Sequence, residues 1–281
     1  MLVIMTGVAI THEGSVMNIQ RRSTAIFLSV ALMSGASAFA QTVRLTDKDV
    51  KTLVEAVDTS RDSFEDKLDG KLKEQILRGP NGEVNVARFL DDLQENTGRL
   101  KERFTTEYAA SAEAAAVLRQ GTAIAAFMKQ HPGIKGASEW DQMAGNLDRL
   151  AAVYGAKFPL DANTPVRRIN DGEASVAAST IEEQADRLKN AINNEKTLAK
   201  PAKDGLKGHA DVVKNAAKVL KSRLKDSKPA TSEARQLFEA VRAMRASAKE
   251  LSPTSLSVMN QLQAPLSTLA QAFGINIPAG T

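Results

Sequence analysis

One helix ending is written twice in this chain, 119 residues apart. Leu147, Leu150, Ala151, Tyr154, Gly155, Phe158 and Pro159 return as Leu266, Leu269, Ala270, Phe273, Gly274, Ile277 and Pro278. Five of the seven positions are identical, and the other two stay large and apolar. The spacing is one face of a helix. Its glycine fits the left-handed position that terminates helices, and its proline prevents the helix from resuming. The repeat predicts two copies of one helical module. It constrains architecture and is silent about chemistry.

Each copy reads as four amphipathic helices. The first opens at Thr46, with Asp49 placed to complete a capping box, and carries Val50, Leu53, Val57, Phe64 and Leu68 on one seam. Gly79-Pro80-Asn81-Gly82 is a break. The second helix carries Phe89, Leu93, Leu100 and Phe104. The third runs from about Ser111 to His131-Pro132-Gly133, and the fourth is expected to start at Ser138 with Asp141 as its box partner. In the second copy, Ile181, Leu188 and Ile192 mark one helix, Leu206, Val213, Leu220 and Leu224 the next, and Leu237, Phe238, Val241 and Met244 the third. Ser252-Pro253 is an N-cap followed by proline, and Pro265 predicts a kink or a late start within the last helix.

Aromatic residues make up only 4% of the chain while alanine and leucine are plentiful, which favours helix over sheet. The expected fold is therefore all-α: two tandem up-down four-helix bundles related by internal duplication, preceded by a cleaved signal peptide. The bundles are assigned to residues 41–160 and 173–281, with the polar segment 161–172 as a linker.

Residues 1–40 read as an N-terminal extension plus signal peptide. Arg21 and Arg22 form a basic region, Ala25 to Met33 an apolar one, and Ala38-Phe39-Ala40 a small-residue cleavage site. Translation is expected to start at Met17 and cleavage to leave Gln41 as the mature N-terminus. The apolar stretch is too short to span a bilayer, so no transmembrane segment is expected in the mature chain. The chain has no cysteine, hence neither a disulfide framework nor a lipid-modified cysteine. The expected location is the periplasm or the exterior.

The catalytic inventory is thin. His131 and His209 lie one in each half, neither beside a second ligand at metal spacing, and no nucleophile elbow or phosphate-cradling loop occurs. Haem ligation by His209 with Met244 or Met259 lacks an attachment motif. No cofactor, metal or catalytic residue is expected, and the chain reads as non-catalytic.

Charge is distributed unevenly. Residues 41–160 carry 17 basic and 19 acidic side chains, net −2, while residues 161–281 carry 18 and 13, net +5. Lys203, Lys207, Lys214, Lys218, Lys221 and Lys225 fall on one stripe beside the Leu206–Leu224 seam, at about 100° per residue. Two readings compete for it: a solvated face whose stems cover the core edge, and a dock for an anionic envelope component or an acidic protein. No aromatic interleaves the lysines, which argues against sequence-specific nucleic-acid recognition. The expectation is an exported binding or scaffolding protein of the envelope or exterior, with a ligand- or cofactor-holding bundle as the alternative. The oligomeric state is open.

Overall fold

Side-chain caps at Thr46, Asp69, Asn85, Asn170 and Ser252 begin five of the described helices, and glycine sets where two helices end. The computed structural model describes residues 44–79 and 82–276; the leader and the repeated Ile277-Pro278 lie outside the described residues. Within these the protein is mostly helical, with one small two-stranded sheet.

In the first half, α1 (Asp47–Lys67) starts on a complete capping box between Thr46 and Asp49. A short α2 (Gly70–Lys73) leads into β1 (Ile76–Gly79) and β2 (Gly82–Asn85), then α3 (Val86–Arg103), α4 (Ser111–Gln130) and α5 (Ala137–Val153) follow. Helix α1 packs on α3 and α5, α3 on α4, and α4 on α5, closing a ring of contacts. Val50, Val57 and Phe64 of α1 meet Leu93 and Leu100 of α3, Val117 and Leu118 of α4, and Leu147 and Leu150 of α5 in one apolar core.

In the second half, α6 (Asp171–Asn194), α7 (Lys200–Lys225), α8 (Thr231–Ala246), α9 (Pro253–Asn260) and α10 (Gln263–Phe273) follow. Helix α6 packs on α7 and α10, α7 on α8, and α8 on α10. Their Ile181, Leu188, Val213, Leu220, Leu237, Val241 and Leu266 form a second core, separate from the first.

Both glycine stops take the expected form. Gly155 has φ +70° and Gly274 φ +61°. The next residue bonds back five positions at the same distance in both, Ala156 N–H to the Ala151 carbonyl and Ile275 N–H to the Ala270 carbonyl, 2.9 Å each. That 6→1 bond is the Schellman ending.

Three expectations need correction. The all-α assignment misses a hairpin: β1 and β2 pair antiparallel, with Leu77 opposite Val84 and Gly79 opposite Gly82. Of Gly79-Pro80-Asn81-Gly82, Pro80 and Asn81 lie outside the described residues, and Gly79 and Gly82 form the last pair of the two strands. Gly79 also makes room for a neighbour, since a Cβ there would sit 2.1 Å from the Phe89 ring. The box expected at Ser138 does not form. Helix α5 starts one residue earlier, after Gly136 at φ +97°, and the Ser138 hydroxyl bonds Glu139 instead. At Pro265 the structure shows the late start expected, α9 ending at Asn260 and α10 starting at Gln263, with the proline in its first turn.

The third correction concerns 161–172. Helix α6 begins at Asp171, inside the segment assigned as linker, and Arg168, Ile169, Asn170 and Asp171 are all buried. The Arg167 N–H bonds the Tyr154 carbonyl at 3.0 Å, so the chain returns to the end of α5 before entering α6. The physical reason is a set of charged partners far away in sequence.

Candidate functional site

Those partners are at the start of α1. Arg44-Leu45-Thr46-Asp47 and Arg168-Ile169-Asn170-Asp171 precede the two capped helices, 124 residues apart. Every bond between them is matched by its converse. The Arg44 guanidinium pairs with Asp171 through Nη1 and donates to the Ile169 carbonyl through Nη2 at 3.0 Å. Arg168 Nη2 donates to Asp47 and to the Leu45 carbonyl, both at 2.8 Å. Asp47 N–H donates to Asp171 Oδ2 at 2.9 Å, and Asp171 N–H donates to Asp47 Oδ2 at 2.8 Å. Each aspartate sits in the first turn of its helix, where the backbone dipole favours negative charge. The flanking caps correspond too, Thr46 with Asp49 and Asn170 with Glu173.

Each arginine also lies by the other half's closing aromatic. Arg44 stands over the Phe273 ring, 5.1 Å from its centroid. The Arg168 charge acts on Tyr154, whose hydroxyl donates to the Ala109 carbonyl at 2.7 Å. Burial dominates the electrostatics. It pushes the Tyr154 hydroxyl and the Asp47 carboxyl up, and together with the Arg168 charge it lowers Arg44. A net-neutral, hydrogen-bonded quartet is the form in which charges can be buried at all. It can hold two halves in one register.

The second charged feature is the lysine stripe on α7, and its six members do not act together. Lys214 pairs with Asp186 of α6 at 2.7 Å, which raises its pKa through that hydrogen bond, and Lys221 pairs with Glu182 of α6. Lys203 donates to the Asn193 carbonyl at 3.2 Å and to that of Glu195, at the end of α6. Lys207 pairs with Asp204 one turn away at 3.0 Å. Lys218 and Lys225 are exposed and bond nothing among the described residues. The acidic edge of α6 thus takes Lys214 and Lys221, and its carbonyl end takes Lys203, a pairing across helices that spacing within α7 could not reveal.

Two further concave surfaces lie among the described residues. A cleft of about 400 Å³ at the α4–α5 turn is lined by Trp140, Phe158, His131, Pro132 and Pro159, with Lys129 and Asp141 at its edge. A groove of about 560 Å³ runs beside the clasp between Thr106, Gly172, Val176 and Pro265. Neither histidine approaches a metal set. His131 stacks on Phe127 with centroids 4.4 Å apart, and His209 Nε2 lies 3.2 Å from the Ser247 hydroxyl. Met244 and Met259 are buried in the second core. Among the described residues no group of three or more His, Asp or Glu could hold a metal ion, and no helix is long and apolar enough to cross a membrane.

Comparison with protein-family models, curated proteins and solved structures gives no match.

Proposed function

We propose that this protein is an exported, non-catalytic binding or scaffolding protein of the envelope or exterior. It is built as two up-down four-helix bundles that arose by internal duplication, and it meets its partner through the outer face of α7. The duplication is supported by two independent correspondences, the Schellman endings at Gly155 and Gly274 and the reciprocal Arg–Asp bonds. A scaffolding role is supported by how the buried carboxylates are used. Among the described residues these are Asp47, Asp171 and Glu195, and each is bonded to a clasp partner or to a helix start. Export rests on the leader sequence ending at Ala40.

The observation that carries the choice of surface is local to α7. Its inner lysines are engaged with α6, whereas among the described residues Lys218 and Lys225 have no partner and stand beside exposed Val212 and Val219. A partner with carboxylates or phosphates, presented with some apolar surface, matches that face. The test is in two parts. Cells expressing the full gene with a C-terminal tag should yield a mature chain starting at Gln41 in the periplasm or medium; a chain retained in the cytoplasm with its leader intact would refute export. Crosslinking in intact cells should then trap a partner through a photoreactive residue at position 215 and not through one at 148. Equal trapping at both would refute the assignment of the face.

The alternative, a ligand-holding bundle, is favoured by the cleft around Trp140. Trp140 is the only tryptophan, so its fluorescence reports that cleft directly.

A further inference from the structure

The outer face of α7 has the sequence of a helix-pairing seam. Val212 and Val219 are seven residues apart, on one face of the helix, and are 55% and 52% exposed. Gly208, Asn215 and Ser222 lie between and beyond them at alternating steps of three and four, and Gly205 continues the series. That is the a/d spacing of a coiled coil. It falls on the side of α7 away from Leu206, Val213, Leu220 and Leu224, which are buried in the second core. No described residue covers it at its glycines: a Cβ at Gly205 or Gly208 would meet no atom within 4 Å.

Charge decides what the seam fits. The positions flanking it on one side are Asp204, Asp211, Lys218 and Lys225, acidic toward the N-terminal end and basic toward the C-terminal end. Against a parallel copy, this edge would meet the uncharged and basic residues of the other edge, such as Ala216 and Arg223, and no acid would answer a lysine. Against an antiparallel copy it meets itself reversed. Lys218 then faces Asp211 of the second copy and Lys225 faces Asp204, each twice by symmetry. In the same register Val219 lies over Gly208 of the second copy and Val212 beside its Asn215. Apolar bulk therefore meets a gap instead of a clash. Asp204 and Asp211 already contact Lys207 and Lys189, but both aspartates are about half exposed and keep acceptor capacity for a second cation.

We infer that the outer face of α7 is a self-association surface, and that its partner is a second copy of this chain with α7 antiparallel. The inference rests on the proposal that this face is the interaction surface, and it names the occupant. The two lysines left without partners in the monomer are then the ones that select the orientation.

Sedimentation of the mature chain over micromolar to submillimolar concentrations should show a monomer–dimer equilibrium that weakens with salt. Val219→Glu should abolish the dimer while leaving the helical circular dichroism unchanged. Lys218→Glu with Lys225→Glu should weaken it about tenfold, two exposed pairs on each side of the twofold being removed, and adding Asp204→Lys with Asp211→Lys should restore it. The chain has no cysteine, so register can be read by oxidation: Gly208→Cys with Val219→Cys should give a disulfide dimer, and Gly208→Cys alone should not. A monomer at every concentration, a dimer indifferent to Val219→Glu, or crosslinking by Gly208→Cys alone would each overturn the inference. A monomer that binds phosphatidylglycerol vesicles through Lys218 and Lys225 would overturn it while leaving the proposed interaction face standing.

Discussion

Asp47 and Asp171 exchange backbone hydrogen bonds, each carboxylate accepting the N–H of the other residue, at 2.9 and 2.8 Å. The two helix starts are therefore capped by one another's first residue, and Arg44 and Arg168 neutralise the pair. The relation is isologous, the pattern of a twofold interface, but it is made within one chain.

Breaking one side of this arrangement leaves a buried guanidinium without its counter-charge. Asp171→Ala is expected to destabilise the protein by about 3–5 kcal/mol. Replacing Arg44 by Met together with Asp171 by Leu should cost less than the single change, because no lone charge is left behind. Urea unfolding of the three proteins measures this. A double variant less stable than Asp171→Ala would contradict the account.

Acid titration should separate two carboxyls of opposite sign. Hydrogen bonds from Ser252 and Ser255 hold Glu195 below the usual glutamate range. Its contribution to stability is therefore present above that range and lost as pH falls through the lowered value. Burial raises Asp47, so its contribution is fullest below the usual aspartate range and declines as pH rises through the raised value. Glu195→Gln should lower stability at neutral pH, with the difference from wild type shrinking in acid. Asp47→Asn should show a difference that grows in acid. Denaturation at stepped pH gives both slopes.

Gly172 is where the α3–α4 loop touches α6. A Cβ at this position would lie 1.8 Å from the Thr106 carbonyl oxygen, a backbone atom that cannot swing aside. Gly172→Ala is expected to cost about 1–3 kcal/mol through overpacking. Gly98, inside α3, would meet nothing, and Gly98→Ala should stabilise by about 1 kcal/mol through helix propensity. Thermal unfolding of the pair should give opposite signs.

The repeated endings should respond alike. Gly155→Ala and Gly274→Ala each force an alanine into the left-handed region, for about 1–2 kcal/mol. A neutral result at either position would mean that its backbone relaxes away from the Schellman geometry, which urea unfolding with amide exchange at Ala156 and Ile275 would reveal.

Much of the local structure was legible because its causes are local. Thr46 and Ser252 begin helices since their side chains accept N–H bonds within the next turn. Gly155 and Gly274 end them since only glycine reaches positive φ without strain. Ser138 misled for the converse reason. Gly136, packed against the end of α1 with Leu68 N 3.5 Å from its would-be Cβ, fixes the helix start before Ser138 can. The hairpin was missed because a short strand pair is stabilised by what covers it, here the Phe89 ring over Gly79.

The clasp had a sequence signal, Arg-aliphatic-polar-Asp at Arg44 and again at Arg168, but in a polar stretch it resembles a linker. By itself the sequence determined the helices, their apolar seams and the doubled ending, since periodicity and capping act over a few residues. Only the tertiary structure decided which charges are used. Asp171 finds Arg44, and Asp186 finds Lys214, through contacts that no spacing along one helix encodes. A charge takes its role from its nearest counter-charge in space, and for Asp171 and Asp186 that partner lies on another element.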